Sequence, residues 1–140
     1  MDRRGQASAE YLLLIVVILL VMGWLLVNVY QPSIESTMAV STTSDAKNAV
    51  TNIANAANLV YANGPGAKRT LSVYIPASGT FSSNNSSKVI LFNSAGIAKT
   101  VNSSIASNMT IVNPNVNKGW YNNITVEWLL NTNYITVTIA

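Results

Sequence analysis

The chain reads as an α+β protein: a long N-terminal hydrophobic helix, kinked near Pro32, followed by a small antiparallel β-sheet or sandwich head. Three observations predict this. Residues 11–27 are apolar throughout except for Gly23. Residues 45–62 carry apolar side chains at helical spacing. From Lys68 onward the hydrophobic period falls to two, with Gly, Asn and Ser between the runs.

The apolar run comes first. Extended to Tyr30 it makes about 30 Å of helix, one hydrocarbon thickness. It is rich in β-branched residues, but an unpaired strand cannot cross lipid, so a helix is expected. Arg3 and Arg4 precede it, and no Lys or Arg follows until Lys47. The positive-inside rule then places the N-terminus in the cytoplasm and the remainder outside. Glu10 stands at the entrance of the run, where an ionisable group is costly. Two explanations compete for it: an ordinary solvated interfacial acid, or a group with a task. Gly23 is open in the same way, either a point of close helix approach or a tolerated small residue. A cleaved secretory signal fits poorly, because the run continues as Asn28-Val-Tyr-Gln-Pro32 without the small residues such a cut requires.

Pro32 lacks a donor and clashes one turn back, so a kink or break is expected at residues 28–31. Ser44 or Asp45 can cap a second helical stretch. In it Ala46, Val50, Ile53, Ala54, Ala57, Val60 and Tyr61 form one apolar face, available to the head or to a neighbouring subunit. Asn63-Gly-Pro-Gly66 ends the helix. A continuous helix from Ala7 to Ala62 would be about 84 Å long.

In the head, Leu71, Val73 and Ile75 alternate with Ser72 and Tyr74. Residues 89–92 are apolar on both faces, which suits an interior strand. Residues 109–112 give a weaker strand signal. Ile124, Val126, Trp128 and Leu130 form one face of a further strand. Asn131-Thr-Asn133 is a turn, and Ile135, Val137 and Ile139 alternate after it. The head alone is small for a stable core, so the helix at 45–62 is expected to complete it. Trp120, Tyr121, Trp128 and Tyr134 suggest either a ligand platform or, better supported by their strand positions, core and hairpin packing.

Composition limits the chemistry. Only 9% of the 140 residues are charged, against about a quarter in ordinary soluble domains, and the mean hydropathy is +0.30. The net charge of +3 reflects scarce acids rather than a basic patch, so no specific nucleic-acid partner is indicated. Cys and His are absent, which excludes disulfides and thiolate or imidazole metal ligands. With five scattered acids no acid–base pair can be nominated, so no enzyme, cofactor or metal is expected. Five N-x-[ST] sequons occur, at Asn84, Asn85, Asn102, Asn108 and Asn123. Asn84, in a Ser/Asn-rich stretch read as a loop, is the strongest glycan acceptor among them.

The string Arg4-Gly5-Gln6-Ala7-Ser8-Ala9-Glu10-Tyr11-Leu12 resembles the class III signal peptide of archaeal type IV pilins. That family shows a basic tip, a small residue before the cut, and Gln-x-Ser-x-Glu ahead of a hydrophobic helix. Arg3, Arg4, Gly5, Gln6, Ser8, Glu10 and Tyr11 match it in order. The resemblance covers about the first 30 residues, and the rest agrees in layout only. It implies a type IV pilin-like fold, a leader at 1–5 removed by prepilin peptidase between Gly5 and Gln6, and retention of the helix that follows. The remaining divisions are a transmembrane and filament-core helix at 6–30, a helical stalk at 31–63 and an extracellular head at 64–140. The implied subunit waits in the cell membrane as a prepilin. It then joins a homo-oligomeric helical surface filament through pilus assembly machinery and serves adhesion and cell contact. The new α-amino group of Gln6 would pair with the Glu10 carboxylate of a neighbour. Two alternatives remain: an archaellin-type motility filament subunit, and a single-pass anchored β-domain that binds a ligand.

Overall fold

The computed structural model describes the backbone of residues 3–97 and 99–140, with side chains from residue 9. Helix α1 covers Arg3–Leu25, a π-helical turn follows at Leu26–Tyr30, and α2 covers Gln31–Asn63. Eight strands come next: β1 Lys68–Ile75, β2 Gly79–Asn84, β3 Val89–Asn93, β4 Val101–Ser104, β5 Asn108–Val112, β6 Asn115–Val116, β7 Gly119–Glu127 and β8 Tyr134–Thr138. The chain forms two compact units, Met1–Met38 and Ala39–Ala140, so the division falls inside α2.

In the first unit the helix does not break at residues 28–31, where a kink or break was expected; a widened helical turn carries it past Pro32. The Gln31 N–H donates to the Leu26 carbonyl five residues back. Proline cannot donate to the carbonyl four residues before it and crowds that group, and a π turn makes room without ending the helix. No second helix start occurs at Ser44 or Asp45, because α2 already runs through them. Residues 33–63 contain no Pro or Gly to interrupt it. Hydroxyls ahead of these two residues turn back onto the same helix. Ser33, Ser36, Thr37 and Thr43 donate to the carbonyls of Val29, Pro32, Ser33 and Ala39, and the Asn28 amide donates to Trp24.

In the second unit two four-stranded sheets have the orders β1-β7-β8-β5 and β4-β3-β2-β6. The second is antiparallel throughout, with β3 interior as its two apolar faces predict. The first is mixed, because β5 and β8 pair in parallel. This corrects the expectation of a purely antiparallel head: alternation reports which face is buried, not strand direction.

A single apolar core joins both sheets to α2. The helix contributes Ala46, Ala49, Val50, Ile53, Ala54, Ala56, Ala57 and Val60, all buried. Five of these eight are alanines, which let the helix backbone approach closely. Val73, Ile75, Ile124, Val126, Ile135 and Val137 face it from the first sheet, and Phe81, Ile90, Phe92 and Val101 from the second. Phe81 and Phe92 are cross-strand partners with centroids 4.7 Å apart, each 1% exposed. The helix also bonds to the β4 side: Lys47 Nζ donates to the Asn102 carbonyl, and Asn58 Oδ1 accepts the Ala106 N–H at 2.8 Å.

Gly64 terminates α2 at φ +89°, its N–H shared between the Val60 and Tyr61 carbonyls. Just beyond it Gly66 and Ala67 pair with Trp128, which stacks on Tyr61 at 5.3 Å. Strand β7 ends at Glu127, so Leu130 falls in the following loop and is 69% exposed rather than in the core.

Candidate functional site

The N-terminal segment presents the first candidate surface. Every large apolar residue from Tyr11 to Val27 is exposed, from 39% at Leu25 to 73% at Tyr11. The exposure lies on all sides of the helix rather than along a stripe, as expected of a helix meant for an apolar surrounding. Among the described residues one helix, beginning at Ala9 and running through Asn63, is long and apolar enough to cross a membrane by length and composition. The back-bonded hydroxyls at residues 33–43 leave little unmet polar demand beyond the apolar run.

Glu10 is exposed at the entrance of this run, beside Tyr11. The backbone at Gly5 and Gln6 already belongs to α1. The side chains of Arg3, Arg4, Gln6 and Ser8 lie outside the described residues.

Three sequons gather at the β2–β3 turn. Strand β2 extends through Asn84, so the loop expected at 82–87 shrinks to a turn over residues 85–88. Asn84 is exposed, and its Oδ1 accepts the N–H groups of Ser86 and Ser87, both at 3.1 Å. Asn85 Oδ1 instead accepts the Met109 N–H at 2.9 Å, and half-buried Asn108 accepts from Lys88 Nζ. Asn102 and Asn123 are exposed on β4 and β7. Of the turn's three, Asn84 is the one that is exposed and held by purely local bonds.

The four late aromatics do not form one cluster. Trp128 packs on Tyr61 and donates Nε1–H to the Thr132 carbonyl at 2.8 Å. Tyr121 is half-buried against the core, and its hydroxyl accepts the Asn117 N–H. Tyr134 is 41% exposed. Trp120 departs from the packing expectation, because it is 68% exposed. The cause is an irregularity in the β1–β7 ladder. Leu71 pairs with Ile124 but Val73 with Tyr121, so β7 holds one extra residue opposite Ser72. That bulge reverses the alternation, turning Tyr121 inward and Trp120 outward.

Trp120 thereby becomes the cross-strand partner of Tyr74, with centroids 5.4 Å apart and planes tilted by 51°. The two rings border a cleft of about 220 Å³ against α2. Asp45, Asn48 and Asn52 line its helical wall at positions i, i+3 and i+7, one face of α2. Ser72 lines the strand wall and is held by a 2.8 Å bond to Asn122 Oδ1. This cleft was not evident from the sequence: alternation in register would have sent Trp120 into the core. The nearest sequence signal was the doubled Asn122-Asn123 between apolar positions, a spacing that breaks period two.

Among the described residues no group of three or more acids could hold a metal ion. Comparison with protein-family models, with curated proteins and with solved structures gave no match.

Proposed function

We propose that this chain is a structural subunit of an archaeal type IV pilus-like surface filament, used in adhesion and cell contact. The observation that carries the proposal is the combination at the N-terminus. A Gly5-Gln6 junction and a Gln-x-Ser-x-Glu string lead directly into a helix whose apolar surface is exposed on every side. A prepilin peptidase removes residues 1–5, the helix stays in the membrane until use, and copies assemble through it. In water, burying each Leu, Ile or Val of this helix would contribute about 1.5–3 kcal/mol. A subunit already in lipid gains instead from closer packing and from pairing its polar groups.

Glu10 supplies register in this scheme. Cleavage creates an ammonium at Gln6, and the Glu10 carboxylate of a neighbour neutralises it. An unpaired charge in the filament core costs several kcal/mol, so misregistered subunits are rejected. The test has two parts. Mature chains from cell-surface filaments begin at Gln6 on N-terminal sequencing, and Glu10→Gln lowers filament yield in electron micrographs while leaving cleavage intact. Uncleaved surface chains, or wild-type filament yield from Glu10→Gln, refute the proposal and the pairing role respectively.

The cleft beside Trp120 favours one second reading, a membrane-anchored β-domain that binds a ligand. It predicts uncleaved chains that remain monomeric in detergent.

A further inference from the structure

We propose that the cleft between α2 and the β1–β7 edge binds a neutral pyranose ring, the chemistry of a simple hexose, against the exposed face of Trp120. This stands apart from filament formation, since every residue involved belongs to the Ala39–Ala140 unit.

Four features select this ligand class. Trp120 offers a large ring, 68% exposed, whose only ring contact among the described residues is the tilted Tyr74. Carbon-bound hydrogens on one face of a pyranose supply a flat apolar surface for such a ring. The exposed side chains of Asp45, Asn48 and Asn52 line the same cleft, and none of them makes a hydrogen bond within the described residues. Amides both donate and accept, and so do sugar hydroxyls, while the carboxylate accepts from two hydroxyls at once. The cleft contains one carboxylate and no cation, which disfavours anions. An apolar ligand would strand the amides without water. Its volume of about 220 Å³ suits a single ring.

The site is also built. The bulge that exposes Trp120 places Asn122 where it fixes Ser72, and the Tyr74–Trp120 register holds the two rings side by side among the residues that line the cleft. A second cleft, of about 410 Å³, shares Asn52 and Ser72 and is lined also by Arg69, so a substituent reaching into it would meet a cation outside the ring site.

Saturation-transfer NMR on the full chain in phosphocholine micelles tests this, since maltoside or glucoside detergents would compete. Glucose, galactose, mannose and N-acetylglucosamine are the probes, and open-chain sorbitol is the control. At least one pyranose is expected to saturate with a Kd of about 1 mM, and sorbitol is not. Trp120→Ala weakens binding by about tenfold, the scale of one aromatic contact. Asn48→Ala weakens it less, and Trp120→Phe retains most of it. Near-UV circular dichroism, through the Tyr61–Trp128 stack, verifies that each variant is folded. Absence of saturation by all four sugars, equal binding of sorbitol, or undiminished binding by folded Trp120→Ala overturns the assignment. The methyl glycoside of a bound sugar identifies the source. Equal affinity points to a glycoconjugate, including a glycan on another copy, and loss on methylation points to the free sugar. Both results sustain the site.

Discussion

Gly79→Ala tests the packing that holds the second sheet together. A Cβ at this position would lie 2.3 Å from the Asn93 carbonyl oxygen and 2.8–2.9 Å from two ring atoms of Phe92. Carbon–oxygen approaches ordinarily stop at about 3.3 Å, so something must retreat by about 1 Å. Neither neighbour yields readily. Asn93 is backbone of β3, paired with Thr80, and Phe92 is 1% exposed against Phe81. Overpacking of this kind costs about 1–3 kcal/mol, and a backbone obstacle belongs at the upper end. The lower entropy of an unfolded chain carrying Ala offsets about 0.4–1 kcal/mol. The net loss is about 2 kcal/mol, a fall in Tm of about 8–16 °C for a unit of this size. Gly96→Ala is the control, because its Cβ would meet Ala77 and Ser94 at the ordinary distances of 3.5 and 3.7 Å. The assay is a near-UV circular dichroism melt of the full chain in detergent, where head aromatics report on the sheets. A Gly79→Ala variant that melts with wild type, or above Gly96→Ala, refutes the reasoning.

Asn58→Ala strips the Ala106 N–H of its acceptor and loses the donor to the Ser104 carbonyl. Both bonds are exposed, so water can take over the freed groups and a loss of about 0.5–1.5 kcal/mol is expected, together with faster hydrogen exchange at the Ala106 amide. Lys68→Ala removes the 3.5 Å pair with Glu127, yet Lys68 is 61% exposed, so denaturant melts should move by less than about 1 kcal/mol. Asn84→Gln lowers the intact mass of exported chain by one glycan, and an unchanged mass removes Asn84 from the acceptors.

Residues whose neighbours repeat a pattern were legible in the sequence. The apolar helix and β3 are unbroken apolar runs, and β8 and the end of β7 present apolar side chains at period two. Strands β2, β4 and β6 do not, because each is anchored by one buried apolar residue: Phe81, Val101 and Val116. A strand held by ladder bonds and one anchor has no detectable period. The cleft was hidden for a related reason. One extra residue in β7 inverts the faces, and a pattern read in register assigns Trp120 to the wrong side. The helix runs on through Ser44 and Asp45, where a cap was expected, because the chain is already helical when it reaches them and contains no Pro or Gly between Pro32 and Gly64 to stop it. At the N-terminus the relevant signal is a short ordered string, which no packing argument could supply.

The position of β8 sets an order of events. It is the last strand in sequence, yet it lies between β7 and β5 in the first sheet. Ile135 and Val137, at 1% and 0% exposure, are core. A chain emerging N-terminus first therefore displays β7 and β5 with their inner edges unpaired until residues 134–138 arrive. Parallel pairing to β5 adds a long loop closure to that final step. Completion of the head thus depends on delivery of its final strand, and a nascent chain held before that point offers two open edges to whatever it meets.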